Sequence, residues 1–109
     1  MMTVKELAER LSLMPIVEAE PDREVTGGYA GDLLSWVMGR AQAGDAWVTI
    51  MTNANIIAVA TLADTAVIVL SEGVVPEDDV IALARTRGIN LYGSELDTFR
   101  LCGKIAALL

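Results

Sequence analysis

The chain has 109 residues, with 8 Lys plus Arg against 15 Asp plus Glu, a formal net charge of −7, no histidine and one cysteine, Cys102. That length makes one domain, and 53% hydrophobic against 21% charged residues is enough apolar material to close a core instead of remaining disordered. The few scattered cations offer no basic stripe to a nucleic-acid backbone. The missing histidine and lone cysteine exclude Cys/His zinc sites, Ser-His or Cys-His nucleophile pairs and an internal disulfide.

The chain starts Met1-Met2-Thr3-Val4-Lys5-Glu6, without the apolar core of a secretory signal, so the cytoplasm is the expected compartment. Thr3 and Glu6 spell a capping box, and Val4, Leu7, Ala8 and Leu11 share one face of a first helix. Pro15-Ile16-Val17 reads as a short strand running into the acidic stretch Glu18 to Glu24, and Arg23 to Tyr29 as another short strand. Gly31 and Asp32 open a helix over Leu33 to Ala43, with Asp32 as its cap and Gly44-Asp45 as its stop. Ala46 to Met51 lacks polar alternation and predicts a strand buried on both faces. Thr52-Asn53-Ala54-Asn55 turns the chain, and Asn53 or Asn55 caps a helix running to Ala63. Ala66 to Leu70 is the next apolar strand, closed by the turn Ser71-Glu72-Gly73. Pro76 stands at a first helical position followed by Glu77, Asp78 and Asp79, and that helix runs to Arg85 or Arg87 with Gly88 beyond it. Ile89 to Tyr92 forms the last strand. Ser94 caps a final helix carrying Leu96, Phe99, Leu101, Ile105 and Leu108.

Strands and helices alternate from about residue 46 onward, which implies right-handed crossovers between parallel strands. The expected architecture is α/β, a three-layer α/β/α sandwich with a mostly parallel sheet of four to five strands. The uncharged run Ala46 to Ala63 approaches the length of a membrane span. Thr49, Thr52, Asn53, Asn55 and Thr61 inside it would each need a partner in lipid, so a buried strand and helix fit it better.

Several motifs resolve into structural readings. Gly27-Gly28-Tyr29-Ala30-Gly31-Asp32 resembles a phosphate loop, but its glycines have neither the Walker A nor the dinucleotide spacing, and Asp32 puts a carboxylate where a phosphate would sit. Glu18, Glu20, Asp22 and Glu24 lack the spaced pattern of a calcium loop and read as a solvated turn. Glu77-Asp78-Asp79 is explained by a helix dipole, and Cys102, between Leu101 and Gly103, as a small core residue. No metal site or cofactor is expected. Apolar residues cover a wide arc of the second helix, more than one sheet face can hide. Leu33, Leu34, Trp36 and Val37, with Ile56 and Val59 of the following helix, are therefore the candidate contacts of a homodimer.

A set of segments resembles the DRTGG domain family, whose members are similar in fold to the N-terminal domain of HPr kinase/phosphorylase. The segments are Gly44-Asp45 before Trp47 to Met51, the turn Thr52 to Asn55, the strand and turn Val69 to Gly73, the helix Val80 to Arg87 with Gly88-Ile89, and Asp97-Thr98-Phe99. The resemblance spans nearly the whole chain, so residues 1–109 read as a single DRTGG-like domain. Asp22 to Gly28 almost spells the family name, but it precedes the first long helix. At the family's Asp-Arg position this chain has Asn53-Ala54, and at its Thr-Gly-Gly position Ser71-Glu72-Gly73. Family domains accompany CBS pairs, pyrophosphatase or phosphotransacetylase regions, and the resemblance implies a regulatory or dimer-forming module.

The functional expectation is a non-catalytic regulatory or small-ligand-sensing module acting as a homodimer, with a small molecule or a cytosolic protein as partner. The alternative is a small carboxylate-using enzyme acting on a phosphorylated or nucleotide substrate. It is disfavoured because phosphoryl chemistry needs a cationic clamp that this chain lacks. Ligands of open α/β sheets bind beyond the carboxyl ends of the strands. The candidate contacts are therefore Thr52, Asn53 and Asn55, then Ser71, Glu72 and Gly73, then Gly93 and Ser94. Glu72 and Ala54 stand where the family has glycine and arginine, so the contacting group of a ligand is expected to be neutral, cationic or metal-bridged.

Overall fold

Thr3 opens the first helix with the capping box read from the sequence. Its hydroxyl accepts the N–H of Glu6 at 3.1 Å, and the Glu6 carboxylate accepts the N–H of Thr3 at 3.4 Å. The structure, a computed structural model, describes residues 1–109. Its elements are α1 (Val4–Leu11), β1 (Met14–Val17), β2 (Gly27–Ala30), α2 (Leu34–Arg40), β3 (Asp45–Thr49), α3 (Asn55–Ala63), β4 (Val67–Leu70), α4 (Asp78–Arg87), β5 (Leu91–Gly93) and α5 (Thr98–Leu108).

The five strands make one sheet in the order β1-β5-β4-β3-β2. Strands β2 to β5 are parallel, with Tyr29 opposite Trp47, Trp47 opposite Ile68 and Ile68 opposite Leu91. Strand β1 joins β5 antiparallel, with an irregularity between Pro15 and Val17. Because β2, β3, β4 and β5 follow one another without reversal, successive crossovers of one hand carry their helices to the same face. Val37 of α2, Ile56, Ile57 and Ala60 of α3, and Val80 and Ala84 of α4 share a core with Trp47, Ile68, Leu70 and Leu91. The alternate strand residues, Ala46, Val48, Val67, Val69 and Tyr92, share a second core with Val4 and Leu7 of α1 and Leu101 and Ile105 of α5. Period-two alternation therefore splits the uniformly apolar strands between two cores, which is why they show no polar alternation. No helix is long and apolar enough to cross a membrane.

Boundaries depart from the sequence reading where side chains reach across the chain. The helix expected over Leu33 to Ala43 is confined to Leu34–Arg40, because Ala41 turns extended and the Asp45 carboxylate accepts the N–H of Gln42 at 2.7 Å. Leu33 occupies the cap position and makes no side-chain cap bond. Asp32, expected there, reaches the far end of β3, accepting the Thr49 hydroxyl at 2.7 Å and the Ile50 N–H at 3.0 Å. Strand β3 accordingly stops at Thr49 instead of Met51. Gly27 and Gly28 are strand residues of β2, and the Trp47 indole N–H closes the turn that follows by donating to the Gly31 carbonyl at 3.0 Å.

Helix α4 begins two residues later in the chain than Pro76 suggested, with Glu77 as its cap and Asp78 and Asp79 in its first turn. It ends as read, on Gly88 at φ +69°. Helix α5 is capped by Asp97, whose carboxylate accepts the Arg100 N–H at 2.8 Å, and not by Ser94. Ser94 closes a local turn by accepting the Leu96 N–H at 3.1 Å, which leaves Leu96 outside the helix. Phe99, on that helix, points to solvent at 85% exposure.

Candidate functional site

The parallel strands bring the turns after β3, β4 and β5 to one edge of the sheet, as the sequence reading required. Hydrogen bonding then divides the candidate residues. Asn53 accepts the Asn55 N–H at 2.9 Å and so fixes the turn into α3, whose formal cap is Ala54. Ser71 is fully buried, and its hydroxyl meets that of Thr98 at 2.6 Å. The Glu72 carboxylate accepts the Thr98 N–H at 3.1 Å. These groups tie the β4 turn to the start of α5, and Glu72, exposed, keeps its second carboxylate oxygen free. Gly93 is the last residue of β5 instead of part of a turn.

Gly73, Gly93 and Ser94 line a cleft of about 200 Å³ together with Ser12, Met14, Ile16, Val74, Val75, Pro76, Ile81 and Glu95. The cleft stands where β1 runs against β5, the one reversal of direction in the sheet. Gly73 is favoured there by its backbone, while only the movable end of a side chain crowds it. Its φ is +67°, and a Cβ on it would lie 2.6 Å from a carboxylate oxygen of Glu95. Thr52, Asn53 and Asn55 line no cleft with these residues. The sequence reading missed Ser12, Met14, Ile16, Val74, Val75, Pro76, Ile81 and Glu95. Only the pairing of β1 with β5 assembles them, and a four-residue strand carries no signal of its partner.

Two titratable groups near α5 are shifted. The Arg100 backbone N–H, aided by its guanidinium at 2.6 Å, holds the Asp97 carboxyl below the ordinary carboxylate range. Burial pushes the Cys102 thiol up, away from the thiolate form.

The candidate dimer residues also divide. Val37, Ile56 and Val59 are buried in the chain's own core, because α2 and α3 pack against each other as well as against the sheet. Leu33 is 58% exposed, Trp36 52% and, further along the neighbouring helix, Leu62 71%. The Arg40 guanidinium lies 3.8 Å from the centroid of the Trp36 ring.

These features define an open, mixed α/β domain whose mostly parallel sheet gathers its loops, and one small cleft, at the carboxyl edge. Among solved structures, the chain is similar to the CBS and DRTGG domains of the regulatory region of Clostridium perfringens pyrophosphatase, a structure complexed with its activator, diadenosine tetraphosphate. The TM-score is 0.75 at 16% identity, over 95% of this chain and 46% of that one. The chain thus spans less than half of that neighbour, and the likeness is one of fold. No family model and no curated protein sequence matches the chain.

Proposed function

We propose that the chain is a non-catalytic regulatory module that senses a small ligand and works as a cytoplasmic homodimer, built as a single three-layer α/β/α domain. The observation that carries this reading is the likeness in fold, over nearly the whole chain, to a regulatory region that binds a nucleotide activator. On this reading the ligand binds at the carboxyl edge, at the turn of Ser71, Glu72 and Gly73 and at Gly93 and Ser94, with the Thr52, Asn53 and Asn55 loop beside them. The division of five helices between two cores supports the layered arrangement. Exposed Leu33 and Trp36 support self-association, since large apolar side chains grouped on one helix face mark contact surfaces.

A thermal-shift screen over nucleotides, diadenosine tetraphosphate, phosphorylated metabolites, amines and carboxylates tests the sensing role. A stabilising compound whose effect disappears in Glu72→Ala or Asn53→Ala supports it. Turnover of a phosphate ester that vanishes when one carboxylate is replaced, with the fold intact, overturns it in favour of the enzyme. Light scattering tests assembly, with a mass of about twice 11.6 kDa expected at micromolar concentration.

A further inference from the structure

We infer that the cleft between β1, the β4–α4 loop and the β5–α5 loop takes a small organic cation, an apolar body bearing a protonated amine; this rests on the ligand-sensing reading above and names its ligand class. Ile16, Val74, Pro76 and Ile81 supply apolar walls, extended by the exposed Met14 and Val75. At about 200 Å³ the space lies below the several hundred Å³ of a drug-sized site, and suits a compact molecule.

The charge in this cleft has one sign. Glu95 is its single ionisable lining residue, and no Lys or Arg lines it. The Glu95 carboxylate makes no hydrogen bond or ion pair within the protein, although it lies against Gly73 at the floor of the β4 turn. Glu72, in that turn, does not line the cleft and accepts the Thr98 N–H through one oxygen. Helix α4 begins just after Pro76, and Asp78 and Asp79 in its first turn offset its positive end. Helix α1 ends at Ser12, so its negative end also faces this region.

Glu95 is exposed and lines the same cleft, so its carboxylate is available to the polar head of a guest whose body lies against the apolar walls. A neutral guest leaves that carboxylate without a partner, and an anion is repelled by it. A cationic head pairs with it, and the net charge of −7 favours the approach of a cation over a long range. The Ser94 hydroxyl already accepts the Leu96 N–H at 3.1 Å.

Amide NMR titrations of the full chain with benzylammonium, benzyl alcohol and benzoate, at matched ionic strength, test the inference. Benzylammonium is expected to shift the Gly73, Gly93 and Ser94 signals saturably, and benzoate to leave them unmoved. Glu95→Gln, at an exposed position with no internal partner, is expected to keep the native spectrum and weaken benzylammonium about three- to fivefold, with benzyl alcohol unaffected. Equal binding of all three probes at these residues overturns the cation inference while the ligand-sensing reading stands. No saturable shift from benzylammonium, or an unchanged affinity in Glu95→Gln, likewise overturns it, and the thermal-shift screen then decides the sensing role by itself.

Discussion

The carboxylate of Glu72 accepts the backbone N–H of Thr98 at 3.1 Å, so the turn after β4 supplies a partner to the first residue of α5. To do so, Glu72 holds φ at +62° ahead of Gly73 at +67°, a left-handed conformation that costs a residue with a Cβ roughly 1–2 kcal/mol. Glu72→Ala keeps the strain and loses the bond, and should lower stability by about 1 kcal/mol. Glu72→Gly loses the bond but relieves the strain, and should unfold close to the parent. Urea denaturation of the pair checks that order; an alanine variant as stable as the glycine variant would show that the backbone is unstrained.

Thr65 is buried between α3 and β4, and its hydroxyl has no hydrogen-bond partner. Valine keeps the shape and removes the unmatched polar group, whose burial costs about 1–3 kcal/mol. Thr65→Val should raise stability by about 1 kcal/mol, a rise of roughly 4–8 °C in Tm for a domain of this size. Calorimetry reads it directly, and a fall in Tm would mean that the hydroxyl is satisfied.

Acid should loosen α5 at its start. The Asp97 carboxyl is held below its ordinary value by the Arg100 N–H and guanidinium. Its stabilising effect is therefore present above the unfolded-state value and is lost as pH falls through the lower folded-state value. Asp97→Asn removes that charge, so it should lower the neutral plateau and flatten the acid side of the stability profile below about pH 4, the two chains converging in acid. An unchanged acid slope counts against this contribution.

Trp36 and Val37 are neighbours in sequence with opposite fates, one half exposed and one fully buried. Trp36→Asp should give a folded chain of half the mass in light scattering, while Val37→Asp should abolish the cooperative transition, since an unpaired buried charge costs several kcal/mol. A Trp36→Asp variant that keeps the parent's mass removes this face from the proposed dimer.

Cys102 should react slowly. Burial raises its thiol pKa, and its flank packs with Ala46, Val48 and Ile105 around an apolar groove. Alkylation by iodoacetamide near pH 8 should be slower in the native chain than in urea, and equal rates would show an open thiolate.

The sequence by itself determined the order and type of the elements. Val4 and Leu7 recur at helical spacing, Ala46 to Val48 and Val67 to Leu70 are uninterrupted apolar runs, and Thr3 and Gly88 punctuate the helices through bonds that span only a few residues. Those signals are local, so they survive in a linear reading. It also brought Gly73, Gly93 and Ser94 to one edge, because parallel strands leave no other arrangement. Tertiary structure decided the rest. Asp32 left its expected cap to hold Thr49, and Asn90, buried, bridges Glu20 and Ala66 through its side chain. Val37, Ile56 and Val59 went inward while Trp36 stayed out. Met14 and Ile16 met Glu95 only because β1 docked antiparallel on β5. Each of these outcomes depends on contacts between residues far apart in the chain, whose formation is set by how all the apolar faces are buried together, and no short stretch of sequence carries that information.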